Sequence, residues 1–175
     1  YDTIYFFHKY KEAIMEKEWI QQAHIQSQLD NLRNQINPHF LFNSMNTLMN
    51  LIPEEGERAR IYLSKLSTFY RYAVSKQEEA TVPVDMELDN AKVYVELLQE
   101  RFGESLAIQM PDHVRTTKHT LPLSLQLLIE NAIKHNIVSK SKPLHIQVFF
   151  SKDGKFLIVR NNIQRKIQSV ESTGM

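Results

Sequence analysis

A single proline, Pro38, interrupts the strongest periodic pattern in this chain of 175 residues. On each side of it, apolar residues recur in steps of four, three and four, the spacing of a helix that packs on a partner helix. Before the proline these residues are Ile25, Leu29, Leu32 and Ile36, and after it they are Leu41, Met45, Leu48 and Ile52. Between Ile36 and Leu41 the step is five, which at about 100° per residue moves the stripe to nearly the opposite side of the helix. Because proline removes a helical hydrogen bond, the pattern predicts a long helix with a kink at Pro38.

A polar row begins directly after the predicted kink. It consists of His39, Asn43, Asn46 and Asn50, which have the same helical spacing and face away from the second apolar stripe. The row predicts that the imidazole of His39 lies at a water-accessible position, where a second domain can approach it. For a lone histidine, an ordinary surface position is the better interpretation, so the neighbouring residues decide between the two.

The residues around His39 carry a family resemblance. They read Pro38-His39-Phe40-Leu41-Phe42-Asn43, and Asn46 follows. This stretch resembles the phospho-acceptor box of the LytS-like sensor histidine kinases, and six contiguous matching residues favour a functional histidine. The resemblance implies that ATP phosphorylates His39. Asn43, one turn further on, is the candidate for orienting its ring. Many histidine kinases have an acidic residue directly after the histidine, but here Phe40 stands at that position and cannot accept a proton.

The first 79 residues are predicted to be helical. Residues 1–34 contain no proline or glycine and are interpreted as a coiled-coil signalling helix. Residues 35–79 are interpreted as a helical hairpin that presents the histidine, with its turn at Pro53-Glu54-Glu55-Gly56. The apolar stripe of its second helix consists of Ala59, Leu63, Leu66, Tyr70 and Ala73. Because two such hairpins form a four-helix bundle, this part of the chain predicts a homodimer.

Residues 80–175 alternate between helical and strand patterns. Asp85 is the predicted N-cap of a helix that Gly103 ends, and a second helix is predicted from Pro122 to about Val138. Strands are predicted over residues 106–110, 144–150 and 156–160, with a hairpin turn at Asp153-Gly154. The order predicts a layered α/β unit with its helices on one face of a sheet. The chain as a whole is therefore assigned to the α+β class.

The second of these helices carries a second motif. It reads Glu130-Asn131-Ala132-Ile133-Lys134-His135-Asn136. Asn131, Lys134 and His135 are three and four residues apart and share one helix face, where an amide oxygen can bind Mg²⁺ and a lysine can neutralise phosphate. Three polar residues alone are better interpreted as a solvated face, but the motif resembles the N box of the GHKL (Bergerat) ATP-binding fold. That resemblance implies that Asn131 binds Mg²⁺, that Lys134 and His135 contact phosphate, and that Glu130 has a secondary role.

The position four residues before Asn131 indicates the kind of reaction. Relatives of the fold that hydrolyse ATP, such as gyrase and MutL, have a water-activating glutamate there. In this chain the residue is Leu127, which cannot act as a base. The sequence therefore favours phosphoryl transfer to a protein histidine over ATP hydrolysis.

A third motif follows the last predicted strand. Val159-Arg160-Asn161-Asn162 resembles the G1 box on the adenine side of the site, which implies that Asn161 and Asn162 contact the nucleotide. The box usually continues with a glycine, but here Ile163 follows. Gly174 matches the first glycine of the next box, whose backbone amides line the phosphates. Because the chain opens on Tyr1 and closes one residue after Gly174, it is expected to be an excised fragment that binds ATP poorly.

Composition excludes several other classes of function. The formal net charge is only +1, so no nucleic-acid partner is expected. The chain has no cysteine and no paired histidine motif, which makes a zinc site improbable. It contains neither a P-loop motif nor an apolar run near the roughly 18 residues of a membrane-spanning helix.

Together, these features are interpreted as the cytoplasmic kinase core of a two-component sensor histidine kinase of the inner or plasma membrane. The resemblance implies ATP and Mg²⁺ as cofactors, a second copy of the chain and a response-regulator receiver domain as partners, and a membrane segment N-terminal to this stretch. The alternative is a catalytically silent dimeric scaffold. Ile163 supports that alternative, and the intact N box opposes it.

Overall fold

The computed structural model describes residues 15, 17, 19, 38–53, 55–76, 79–112 and 116–165. The chain divides into two compact units after Phe42. Met15, Lys17 and Trp19 are helical. The rest of the predicted coiled-coil helix, with the Ile25 stripe and the residues before the Pro38 kink, lies outside the described residues. The same is true of residues 166–175, which include Gly174.

Helix α1 comprises Pro38–Leu51. Phe40 and Ser44 are its buried side chains, with 6% and 2% of their surface exposed. The predicted turn follows it, since the backbone N–H of Glu55 donates to the carbonyl of Leu51 at 2.9 Å. Met45 and Ile52, which belong to the second apolar stripe, are exposed in the single chain.

Helix α2, Gly56–Ser75, buries a stripe that differs from the predicted one. Its buried side chains are Ala59, Tyr62, Leu66, Phe69 and Ala73. The place of Leu63 in the predicted bundle stays a prediction, but in the single chain Leu63 is 49% exposed while Tyr62 and Phe69 are buried. The reason is aromatic packing: the ring of Phe69 stacks on Tyr94 of the next helix with centroids 5.3 Å apart, which turns this side of α2 inward.

Helix α3, Val84–Phe102, packs antiparallel against α2. Three polar contacts join the two helices: Arg58 with Glu100 at 2.7 Å, Lys65 with Glu96 at 2.8 Å, and Tyr72 with Glu87 at 2.9 Å. Along these three pairs the residue numbers increase in α2 and decrease in α3, so the two helices run antiparallel. The two ion pairs are partly exposed and contribute at most about 1 kcal/mol each, so the buried aromatic contacts dominate this interface.

The start of α3 corrects one prediction, and its end confirms another. Pro83 occupies the N-cap position, so Asp85 lies inside the first turn rather than at the cap. There its Oδ1 accepts a hydrogen bond from the backbone N–H of Met86 at 2.8 Å, and its charge still complements the helix dipole. Gly103 ends the helix with a φ of +51°, a conformation that favours glycine.

Two small sheets complete the fold. Strands β1 (Val82–Pro83) and β3 (His119–Thr120) pair antiparallel. Strands β2 (Leu106–Gln109), β4 (Leu144–Phe150) and β5 (Leu157–Asn161) form a second sheet in the order β2-β4-β5, with β2 and β4 parallel and β4 and β5 antiparallel. The three strands of this sheet and the hairpin turn at Gly154 are as predicted. The β1–β3 pair is not, because strands of two residues leave no alternation in a sequence.

Helix α4, Ser124–His135, is shorter than predicted at both ends. Pro122 lies in the turn before the helix rather than at its first position, and Leu123 occupies the cap with a φ of +59°. At the other end Asn136 is extended, and its side-chain nitrogen donates to the carbonyl of Ala132 at 2.8 Å. This side chain replaces the backbone donor that would have continued the helix.

Helices α3 and α4 cover one face of the three-stranded sheet. The buried core between them consists of Val84, Leu88, Ala91, Leu125 and Val148. This arrangement confirms the layered α/β unit and the α+β class. The predicted coiled coil and dimeric bundle stay predictions.

Candidate functional site

His39 lies in α1, directly after Pro38, and is exposed. Asn43 follows four residues later in the same helix and is half-buried, and its backbone carbonyl accepts a hydrogen bond from Thr47 at 3.0 Å. The exposure of His39 agrees with the predicted accessible imidazole.

The polar residues of the N box share one exposed face of α4. Asn131, Lys134 and His135 are all exposed there, as their spacing predicts. Leu127 precedes Asn131 by one turn and is 60% exposed on that side of the helix. The face therefore offers one amide, two basic side chains and no carboxylate at the position of a hydrolytic base.

Glu130 differs from its neighbours in burial and direction. It is half-buried, and its carboxylate lies close enough to Tyr94 of α3 that it adds to the effect of burial in raising the pKa of that phenol. Glu130 therefore faces the α3 side of the helix. Its secondary role stays a prediction.

Asn136 joins the end of the N-box helix to the chain that follows β5. Its side-chain oxygen accepts a hydrogen bond from the backbone N–H of Gln164 at 2.7 Å, and the backbone N–H of Ile137 donates to the carbonyl of Gln164 at 2.7 Å. Asn136 is only 7% exposed, and it also forms an isolated β-bridge with Arg165. The N box and the G1 segment are thus held together by one buried amide. The sequence places Asn136 in the motif but gives no sign of this role.

The two G1 asparagines have different surroundings. Asn161 ends β5 and pairs with the buried Ile146. The amide of Asn162 is occupied on both sides: its oxygen accepts from the N–H of His145 at 2.8 Å, and its nitrogen donates to the carbonyl of Pro143 at 3.1 Å. Asn162 therefore fixes the end of β5 to the start of β4, a structural task that competes with nucleotide contact.

Ile163 does not occupy a position that requires glycine. It is 76% exposed, and Leu123 is the single non-glycine residue with a positive φ among those that the structure describes. The backbone at Ile163 therefore has a conformation open to any residue. One argument for a silent scaffold, strain of the backbone at Ile163, therefore does not apply.

A cavity of about 380 Å³ lies on the sheet face opposite the helices. Its lining includes Gln109, Gln147 and Arg160, one residue from each strand. Arg160 donates to Gln147 at 2.5 Å, and Gln147 donates to Gln109 at 2.8 Å, so the three form a row across the sheet. Asn161 and Asn162, two of the predicted nucleotide-binding residues, also line this cavity, whereas the N-box residues of α4 do not.

Glu87 is a second residue that sequence reasoning misses. Its side chain is fully buried at the N-terminus of α4, where it accepts hydrogen bonds from the backbone N–H groups of Leu123 and Leu125, each at 3.0 Å. The hydroxyl of Tyr72 on α2 donates to the same carboxyl group at 2.9 Å. Burial raises the pKa of Glu87, and these hydrogen bonds oppose the shift. An acidic residue in a first helical turn is usually solvated, so its sequence position gives no signal.

The residues on α4 fit a magnesium ion that arrives with ATP. Mg²⁺ prefers oxygen ligands and usually keeps waters and phosphate oxygens, so one amide oxygen at Asn131 suffices as the protein ligand. Within residues 38–165, the described positions contain no group of three His, Asp or Glu side chains that could hold a metal by themselves. None of the helices in the described part of the chain is long and apolar enough to cross a membrane.

Comparison with known proteins agrees with this arrangement. The model of the histidine kinase family matches residues 27–106. A sensor protein LytS of Bacillus cereus is 35% identical over 146 residues, which cover 82% of this chain and 24% of that protein. For a sensor protein LytS of Staphylococcus haemolyticus the identity is 36% over 156 residues, with 86% and 26% covered. For one of Streptococcus mutans it is 35% over 127 residues, with 71% and 22% covered.

These matches place the chain among the histidine kinases. Within that class it belongs to the LytS-like sensor histidine kinase family. The chain spans about a quarter of the length of the curated relatives it matches.

Proposed function

We propose that this chain is the kinase core of a two-component sensor that transfers the γ-phosphoryl group of Mg-ATP to His39. The observation that carries the proposal is the N-box face of α4. Asn131, Lys134 and His135 are exposed together on a helix whose two ends are fixed by the buried side chains of Glu87 and Asn136. A nucleotide site needs this kind of rigid presentation, because phosphoryl transfer depends mainly on positioning and charge neutralisation.

Each residue of the N-box face has a defined task in this proposal. The amide oxygen of Asn131 holds the magnesium ion, which neutralises phosphate charge when bound. Lys134 and His135 donate to phosphate oxygens, and Asn161 contacts the adenine side. Glu130 and Asn162, whose side chains already contact other residues, support the site indirectly. Gly174 belongs to the phosphate-binding loop that the family resemblance implies.

The reaction breaks the bond between the γ-phosphorus and the β,γ-bridging oxygen, and it forms a bond between phosphorus and a ring nitrogen of His39. ADP leaves, and the imidazole releases one proton. Leu127 supports transfer to histidine over hydrolysis, since it provides no base to activate water on the exposed face. Asn43 orients the ring in this proposal.

The partners belong to the same proposal. The phosphoryl group passes from His39 to an aspartate of a response-regulator receiver domain, and the kinase acts as a homodimer. The family resemblance also supports a membrane attachment N-terminal to this stretch, with the kinase core on the cytoplasmic side. The weak ATP binding expected of the chain by itself stays a prediction.

The test is phosphorylation of the complete protein with γ-labelled Mg-ATP. We expect a label that is labile to acid and stable to alkali, that is lost in His39→Gln and that is retained in His119→Gln, a change at an exposed histidine of β3. Asn131→Ala should also lose the label, because the magnesium ligand is removed. A protein that binds ATP but is never labelled on His39 would contradict the proposal and favour the dimeric scaffold.

A further inference from the structure

The buried carboxyl group of Glu87 connects three separate elements. It is the side chain of α3 that accepts from Tyr72 on α2 and from the backbone at the start of α4. Its side chain is 0% exposed, so these donors replace all of its water. A buried carboxyl group without such donors would be strongly destabilising, which means that the three contacts are held together as a set.

The N-terminus of α4 depends on Glu87 for its cap. The cap residue is Leu123, which makes no side-chain hydrogen bond to the helix. Its φ of +59° is a left-handed conformation that costs about 1–2 kcal/mol for a residue other than glycine. Such a conformation persists only where the surroundings fix it, and here the N–H of Leu123 donates to Glu87. The carboxyl group of α3 thus performs the capping task that Ser, Asp or Asn usually performs from within the chain.

Tyr72 brings α2 into this contact. It lies one turn before the end of α2 and is half-buried, and its hydroxyl donates to the same Oε2 atom that accepts from Leu123. At the other end of α2, the polar contact with α3 that the structure describes is the partly exposed ion pair of Arg58 and Glu100. A displacement of the Tyr72 end of α2 therefore acts directly on the acceptor that holds the start of α4.

We propose that Tyr72 and Glu87 are positioning residues that transmit the position of helix α2 to the N-terminus of helix α4, and so to Asn131 seven residues further on. This inference rests on the proposed function, in which α2 belongs to the histidine-presenting hairpin and α4 to the nucleotide site. It gives the kinase a route by which a movement of the hairpin changes phosphoryl transfer without a change in the residues that contact ATP.

The first test is hydrogen exchange measured by mass spectrometry on the complete protein. Tyr72→Phe removes one hydroxyl group and keeps the ring. We expect it to raise the exchange rate of the peptide containing the N–H groups of Leu123 and Leu125 by about threefold or more, because the cap loses one of its supports. Tyr62→Phe is the matched control, since Tyr62 is buried on the same helix and has no described hydrogen bond to Glu87. Its exchange in that peptide should equal that of the unchanged protein.

The second test is the rate of His39 labelling. In Tyr72→Phe we expect a fall of about tenfold in the labelling rate, the effect of losing one buried hydrogen bond. The KM for Mg-ATP should stay unchanged within about twofold, because Glu87 still caps α4. Glu87→Gln removes one acceptor oxygen from the cap and should raise that KM as well. If Tyr72 had only a structural role, Tyr72→Phe would change both the labelling rate and the KM for Mg-ATP. Glu87→Asp should restore part of the labelling that is lost in Glu87→Gln.

The outcomes separate this inference from the proposed function. Faster exchange in Tyr72→Phe with no labelling of the unchanged protein would support the connection between the helices and contradict the kinase proposal. The inference would be overturned if the unchanged protein is labelled normally and Tyr72→Phe has the same hydrogen-exchange rate and labelling rate as Tyr62→Phe. The kinase proposal would then remain intact.

Discussion

Glu87 links the stability of the protein to pH through its protonation. Burial raises its pKa above the ordinary value of 4.5. Between 4.5 and the raised pKa, the folded state holds a proton that the unfolded state has released, so the free energy of unfolding falls as pH rises through this interval. Below 4.5 both states are protonated and the full stability is present.

Glu87→Gln isolates this effect, because the variant cannot titrate at position 87. We expect the difference in unfolding free energy, unchanged chain minus variant, to decrease as pH rises from about 4.5 and then to level off. Chemical denaturation of both chains over a series of pH values measures it. A difference that grew with pH would show that the donors from Leu123, Leu125 and Tyr72 outweigh burial.

Asn136 is the second buried side chain whose removal should lower the free energy of unfolding. Asn136→Ala leaves the N–H of Gln164 and the carbonyl of Ala132 without their partners, and each of these hydrogen bonds lies in the interior. We expect the free energy of unfolding to fall by about 1–3 kcal/mol. Asn50→Ala, at an exposed amide of α1, should change it by less than about 0.5 kcal/mol. Equal effects in the two variants would mean that Asn136 does not hold the two segments together.

At the scale of residues, sequence motifs identify only part of the candidate site. His39, Asn131, Lys134 and His135 are candidates because they lie in short motifs that the sequence displays directly. Glu87 and Asn136 are missed because their importance comes from partners 36 and 28 residues away along the chain, Leu123 and Gln164, which no local pattern reveals. At Ile163 the backbone has no positive φ, so the side chain there imposes no backbone strain.

At the scale of elements, the end of α3 gives a direct test. Gly103 has φ of +51° and ψ of −133°, and a Cβ atom placed there would meet nothing within 4 Å. The penalty for Gly103→Ala therefore comes from the backbone alone, and we expect a loss of about 1–3 kcal/mol in unfolding free energy. Gly56 has equally open space but no positive φ and begins α2. Gly56→Ala should be neutral or stabilising by up to about 1 kcal/mol, and a comparable loss in both variants would contradict the backbone explanation.

Elements with strong periodicity are predicted well, whereas features that depend on tertiary contacts, such as the buried side of α2 and the ends of α4, are predicted less well. Strand β4 alternates from Leu144 to Val148, and Gly154 determines the hairpin turn, so both are found. In the single chain the buried stripe of α2 includes Tyr62 and Phe69, which the predicted stripe lacks, because this side of the helix packs on the aromatic surface of α3. The limits of α4 are set by Glu87 and Asn136, two side chains whose tertiary contacts the sequence pattern does not contain.

At the scale of the molecule, α2 belongs to two arrangements at once. The sequence assigns it to a hairpin with α1, whereas the structure packs its buried aromatic stripe on α3. These are compatible, because a helix can pack on different neighbours through different faces. The opposite side of α2 retains exposed apolar residues, among them Leu63 and Val74. The same helix can therefore contact the nucleotide-binding part and still offer a surface to a dimeric bundle.

The homodimer gives the last prediction. Met45, Met49 and Ile52 are exposed by 37%, 60% and 58%, and they recur in steps of four and three along one side of α1 and its C-terminal turn. A partner helix would bury this side, so a carboxylate placed there loses its water and finds no counter-ion. Met49→Glu should weaken the dimer of the complete protein by about 100-fold or more, equivalent to about 3 kcal/mol, in sedimentation equilibrium. Asn50→Glu introduces the same charge one residue away, on the polar row, and should leave the dimer constant unchanged. If Met49→Glu dimerises as tightly as Asn50→Glu, this side of α1 is not the dimer interface.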